Sequence, residues 1–261
     1  MMNTAIILEY LKTYLKTRLT YRADFAIEIV TDLMFQTMNL LFILVVFSHT
    51  DLLGGWTRDE MIFIYGYFMI PSGLFGCFFN LWNFTERYIV KGEMDRVLTR
   101  PVYNLVQLIM ENLDPSSLFG ALTGALVMSY AWWQLGLGFE WWYPFVLVIL
   151  IIGSLMIYAG IYIALTAISF FSDAPTGIQP MMYNIQNYGR YPVNIYNKAI
   201  RFVLTWVLPF AFVGVYPAAF FLEKDITRAF AMLTPVVGLV FLTGGLLFWN
   251  YGVRKYRGAG S

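Results

Sequence analysis

Charge is what this chain has least of. Asp, Glu, Lys and Arg supply 13% of its 261 residues, against about 25% in an ordinary soluble domain. So few charges cannot cover a water-facing surface, and 59% of the residues are hydrophobic and 19% aromatic. Seventeen Lys and Arg stand against sixteen Asp and Glu, a balance too even for a nucleic-acid partner held by bulk charge. The chain has one cysteine, Cys77, and one histidine, His49. These exclude an intramolecular disulfide and any metal site built from several Cys and His ligands. They also remove the common Cys–His and Ser–His–Asp hydrolase sets unless His49 is the base. His49, two residues before Asp51, reads as a solvated loop histidine, with a catalytic dyad as the alternative.

Nucleotide chemistry is missing too. No G-x-x-x-x-G-K-[ST] loop occurs: Gly120 and Gly124 lie too close together, and no Lys follows them. H-E-x-x-H and G-x-S-x-G are absent as well. The chain holds no cofactor of its own and does not hydrolyse ATP by itself. It reads as an integral membrane protein.

What is present is a series of long uncharged runs. Six of them, 33–50, 61–85, 115–139, 141–172, 202–222 and 229–253, reach 18 residues or more, and a membrane helix needs about 20. The first extends backwards through Asp32 and Glu28. The expectation is an all-α polytopic protein, one transmembrane domain over 1–261, with spans at about 26–48, 61–83, 115–134, 143–171, 202–222 and 232–252. The run 174–189, with its Pro, Gly, Asn and Gln, reads as a polar connection. Trp132, Trp133, Trp141, Trp142 and Tyr143 flank a short turn as an aromatic belt would.

Basic residues orient the spans. With the N-terminus inside, the cytoplasmic segments carry Lys12, Lys16, Arg18 and Arg22; Arg87, Lys91, Arg96 and Arg100; Arg190, Lys198 and Arg201; and Arg254, Lys255 and Arg257. The outer side keeps Arg58, Lys224 and Arg228. Both termini are then cytoplasmic. Glu9, Lys12 and Lys16 break any signal-peptide core. Ile7, Leu11, Leu15 and Leu19 instead form an apolar stripe opposite those charges, the pattern of an interfacial amphipathic helix over about 3–21 lying against membrane lipid. A cytoplasmic helix packed on another protein has the same pattern. The closing residues 258–261 are too small and polar to pack.

Asp24, Glu28, Asp32 and Gln36 recur every four residues of the first span, with Asn39 beside them, so they share one helix face. Carboxylates at membrane depth face protein or water. Asp32, Gln36 and Asn39 are therefore candidates for the wall of a translocation pathway. Asp24 and Glu28, at the edge, read as partners for Arg18, Arg22 or the basic loops. Pro71, Pro209 and Pro217 remove backbone donors within the second and fifth spans and are candidate kinks, either hinges or packing features.

The loop after the second span, over 84–102, reads "ERYIVKGEMDRVLTRP" from Glu86 to Pro101. Ile89, Met94, Val97 and Leu98 make an apolar face, with Arg87, Lys91, Glu93 and Arg96 left for water or a partner. Such a helix suits docking of a soluble subunit; a solvated basic loop serving topology alone is the plainer reading.

"VKGEMDRVLTRP" resembles the G-E-x-D/E-x-x-L-x-x-P pattern in the first cytoplasmic loop of bacterial type-2 ABC exporter permeases. "RYPVNIYNKAIR" followed by "LPFAFVGVYPAAFFL" is similar to the fifth-helix region of a small six-span branch. The resemblance covers the whole chain. It implies a multi-pass permease of the bacterial inner membrane, with its coupling helix between spans two and three. That role falls on Glu86, Arg87, Lys91, Gly92, Glu93, Asp95, Arg96, Arg100 and Pro101. It further implies a separate ATPase subunit that holds ATP and Mg, and a second permease chain, identical or related. The abundant aromatics favour a lipophilic or amphipathic cargo. Two rival readings are an ion-coupled secondary transporter using Asp32 and Glu28, and an intramembrane enzyme built on His49 or the acidic run.

Overall fold

The structure, a computed structural model, describes residues 22–172 and 178–256. The expected interfacial helix over 3–21, the start of the polar connection and the 258–261 tail lie outside the described residues. Among the described residues the chain is helical, without strands. In chain order the α-helices are α1 (Arg22–Phe47), α2 (Arg58–Phe78), α3 (Glu93–Leu98), α4 (Asn104–Glu111), α5 (Ser117–Gln134), α6 (Tyr143–Ala167), α7 (Ile178–Gln186), α8 (Lys198–Phe202), α9 (Val215–Phe221), α10 (Asp225–Ala231) and α11 (Thr234–Lys255).

Two close pairs form the frame: α5 lies antiparallel along α2, and α11 lies parallel along α6. Small residues allow this closeness, as is usual where lipid removes the hydrophobic drive between helices. Gly153 and Gly160, seven residues apart on one face of α6, meet Gly238 and Gly245 of α11; a Cβ at Gly160 would run into the backbone of Phe241 and Leu242. α2 is the central element, with every residue from Met61 to Pro71 buried. It starts at Arg58 because Thr57 and Glu60 form a reciprocal capping box.

Four helices are long and apolar enough to cross a membrane: α1, α2, α6 with its short extension to Phe170, and α11. They match the first, second, fourth and sixth expected spans. The expected third span is the 18-residue α5. The fifth differs. Over 202–222 the chain is a bent pair, Lys198–Val207 and Phe210–Phe221, at 70°. Both its ends lie at the end of the bundle opposite the charged loop. There Asn194 Nδ2 donates to the Gly54 carbonyl, and Lys224 Nζ meets Glu60 Oε1 at 2.8 Å. The legs face each other through Thr205 and Tyr216, whose hydroxyls are 3.0 Å apart. Near the tip the Phe212 carbonyl accepts from Ser154 Oγ at 3.2 Å, about 16 Å along α6 from Tyr143 at 1.5 Å per residue. The segment dips into the bundle and returns.

Lys198 and Arg201 therefore line a cavity with Gly54, Trp56 and Lys224. They do not share a side with Arg87 to Arg100, as the charge count expected. The described part of the polar run, α7 continued to Arg190, climbs between the two ends, and Arg190 sits beside Tyr65 and Phe68 half-way along α2. Polar residues are tolerated here because they face a cleft and not lipid.

The prolines divide three ways. α2 runs through Pro71 without interruption. Pro209 stands at the 70° break, where a missing donor has most effect. Pro217 lies in the first turn of α9, where its absent N–H would have no helical acceptor anyway; it begins a helix and kinks none.

A charged loop and a cleft as candidate functional sites

Gly92 divides the charged loop. Its φ of +73°, in the left-handed region that favours glycine, ends the π-helical turn Thr85–Val90 and starts α3. One continuous surface helix is thus replaced by two short ones. Met94 and Val97 are fully buried and Ile89 nearly so, but Leu98 is 39% exposed; it is excluded from the expected apolar face because α3 turns it to the outside.

The centre of this loop is a residue outside it. Glu111, at the end of α4 with a side chain 10% exposed, accepts from Arg96 Nη2 at 2.7 Å and Nη1 at 3.0 Å. It also accepts from Gln107 Nε2 at 2.9 Å, Tyr88 OH at 3.3 Å and Arg100 Nη1 at 3.4 Å. Burial alone pushes the Glu111 carboxyl upward, but the hydrogen bonds from Arg96 and Gln107 and the Arg96 charge outweigh it and hold the group below its ordinary range. Glu93 is drawn into the same network by Arg87 at 2.9 Å and Arg96 at 3.5 Å. Arg87, Glu93 and Arg96 thus tie the loop to itself, while each keeps more than a third of its side chain exposed. Glu86, Lys91, Asp95, Arg100 and Pro101 remain exposed, Glu86 bridged to Lys91 at 2.8 Å, whose hydrogen bond and charge lower its carboxyl.

The loop is bolted to the transmembrane helices. Asn104 Oδ1 accepts from Trp249 Nε1 at 2.9 Å, and Tyr103 OH donates to Asn250 Oδ1 at 3.0 Å, joining α4 to α11. Thr85 and Ser169 hydroxyls, 2.6 Å apart and buried, join it to the end of α6. Phe84, Phe170 and Trp249 fill the space between, with centroids 5.0–5.7 Å apart.

A cleft of about 510 Å³ lies between the frame pairs, walled by α1, α2, α5, α6 and α7. Asp32, Gln36 and Asn39 all line it; Asp24 and Glu28 are exposed and do not. Gln36 Nε2 donates to Asp32 Oδ2 at 2.7 Å, and Tyr65 OH donates to the Gln36 carbonyl at 2.9 Å. Gly120 makes this possible: a Cβ there would lie 2.6 Å from Gln36 Nε2. Asn39 Nδ2 is bound within its own helix, to the Phe35 carbonyl at 2.8 Å. Gln36 Oε1 is buried with no donor among the described residues. Across the cleft stand Tyr183, Gln186, Asn187 and Arg190, none of which the periodicity of the first span brings to notice. His49 is exposed, its ring Nδ1 bonded to the Ser48 hydroxyl and the Val45 carbonyl, and no group of three His, Cys, Asp or Glu among the described residues is placed to hold a metal.

The family model for the ABC-2 family transporter protein matches this sequence over residues 33–260. No curated protein and no solved structure matches it.

Proposed function

The chain belongs to the ABC-2 transporter family, a multi-pass membrane permease component of an ABC transporter, and on that premise we propose that it forms half of the translocation pathway of a bacterial exporter. A second permease chain, identical or related, supplies the other half, and a separate ATPase subunit drives both with ATP and Mg. The observation that carries this reading is the loop of residues 84–102: charged outside, fixed inside by Glu111, and joined to α6 and α11 by buried bonds. A contact force on α3 is passed to the α6–α11 pair and shifts it against α2–α5, which changes the cleft between them. Glu86, Lys91, Asp95, Arg100 and Pro101 meet the ATPase, while Arg87, Gly92, Glu93 and Arg96 give the loop its shape.

On this reading the chain crosses the inner membrane six times. The fifth crossing is the short polar segment 178–192, and 198–221 dips in from outside. Arg22, Arg87, Lys91, Arg96, Arg100, Arg254 and Lys255 lie at the loop end, and Arg58, Lys198, Arg201, Lys224 and Arg228 at the other. The excess supports a cytoplasmic loop and cytoplasmic termini. α1 supports a second permease chain: only Ile43 is buried, while Met34, Phe35 and Met38 are each over 60% exposed. Asp32, Gln36 and Asn39 face the cargo, which the mixed walls suit to an amphipathic molecule.

Co-purification in mild detergent from the native host, with partners identified by mass spectrometry, tests the assembly. An ATP-binding subunit and a second six-span chain are expected. A chain that purifies alone, with no ATPase, refutes it.

A further inference from the structure

One buried charged side chain among the described residues has no part in the coupling scheme. Arg190 is 8% exposed and sits half-way along α2. Its guanidinium carbon lies 5.6 Å from the Phe68 ring centroid and 6.0 Å from those of Tyr65 and Tyr191. Nε donates to the Asn187 carbonyl at 3.0 Å; the remaining N–H groups have no acceptor, and the side chain no ion pair, among the described residues. The carboxylates that share the cleft are engaged elsewhere, Asp32 with Gln36 and Asp114 with Ser116 and Ser117.

A cation at this depth, unpaired and opening on a cleft, is a mark of function more than of packing. Guanidinium presents a planar fork of donors that fits phosphate, sulfate or carboxylate in a bidentate way, and three aromatic faces hold this one in position. The walls of the cleft are largely apolar, with Phe75, Phe79, Tyr162 and Ile163 among them, and the exposed Asn80 and Trp82, shortly before the charged loop in sequence, also line it. A volume of about 510 Å³ lies within the range of about 300–1,000 Å³ that encloses a small organic ligand.

We propose that Arg190 is the anchor for the anionic group of an amphiphile, with the apolar part of the molecule lying along the aromatic wall. This rests on the cleft being the pathway and names the class of cargo: anionic amphiphiles, as opposed to neutral or cationic ones. The same guanidinium would also accept a free inorganic anion, and the experiment separates the two sources.

The test is equilibrium binding of radiolabelled dodecyl phosphate to the purified full-length chain in dodecyl maltoside. One saturable site is expected, at least 10-fold weaker in Arg190→Gln and intermediate in Arg190→Lys, which keeps the charge and loses the fork. Dodecyltrimethylammonium should not compete, and inorganic phosphate should compete only at far higher concentration. Ser72→Leu, which fills the cleft wall without altering the guanidinium, should abolish the site; it decides the matter if Arg190→Gln does not fold. Unchanged affinity in Arg190→Gln or in folded Ser72→Leu overturns the proposal, as does equal competition by the cationic amphiphile. Inorganic phosphate competing as well as dodecyl phosphate overturns the amphiphile and leaves an anion site. No ATPase is needed for this binding, so failure here while the ATPase still co-purifies leaves the permease reading intact.

Discussion

Removing Glu111 should loosen the charged loop while leaving the transmembrane frame in place. In Glu111→Ala, Arg96 loses its two bonds to that carboxylate, at 2.7 and 3.0 Å, and keeps the one to Glu93, while Gln107, Tyr88 and Arg100 lose their bond to it. A hydrogen bond to a charged group contributes about 1.5–3 kcal/mol net. Arg96 is 41% exposed, so water screens and replaces part of that. A local loss of about 2 kcal/mol is expected, equivalent to about 30-fold faster opening. The assay is amide hydrogen exchange, in lipid nanodiscs at neutral pH, at residues 97–99, with α6 and α11 as internal controls. Glu111→Gln keeps a neutral acceptor and should cost about half as much.

The same network sets a pH dependence. The Glu111 carboxyl is held below its ordinary value in the fold, so its contribution is complete above the unfolded carboxylate pKa and is lost as pH falls through the lower folded value. Protection at 97–99, corrected for intrinsic exchange, should be level from pH 8 to about 5 and drop below that. Glu111→Gln should lack the Glu111 part of the drop. Unchanged exchange in Glu111→Ala, or an acid step of the same size in Glu111→Gln, would refute the reasoning.

Three further outcomes follow from the same geometry. Gly160→Ala should lower the thermal midpoint, because its Cβ meets the Phe241 backbone and overpacking costs about 1–3 kcal/mol; Gly244→Ala, with nothing within 4 Å, should leave it unchanged. Gly120→Val should disturb the pairing of Gln36 with Asp32 and open α1 away from α5, read as lost disulfide cross-linking between cysteines placed on those helices. With Cys77 replaced, a cysteine at Lys198 should react with a membrane-impermeant reagent from the same side as one at Gly55, and from the side opposite one at Lys91.

The sequence disclosed its frame because long uncharged runs are a coarse signal that little can imitate. It also disclosed the cleft wall of α1, since a four-residue recurrence of polar side chains survives any detail of packing. The fifth region misled because 202–222 is as apolar as a true span, and nothing local says that both its ends return to one side; that is decided by Asn194 meeting Gly54 and Lys224 meeting Glu60. Conversely, α7 is too short and polar to register as a crossing. Glu111 was missed for a related reason. It sits 15 residues from Arg96, on a separate helix, and an isolated carboxylate in a short amphipathic segment carries no pattern. A polar residue beside an uncharged run is the signal that deserved weight. Arg190 entered the topology count as a cytoplasmic charge, because counting assigns every basic residue to a surface and has no place for one buried beside Phe68.

The central claim is that the outer face of α3 meets an ATP-binding subunit. It is tested by placing a photo-crosslinking residue at Asp95, exposed on that face, and at Gly138, in the turn at the opposite end of the bundle, in cells of the native host. Adducts with an ATP-binding subunit from position 95 and none from position 138 are predicted. No such adduct from 95, or the same adduct from both positions, would contradict the account.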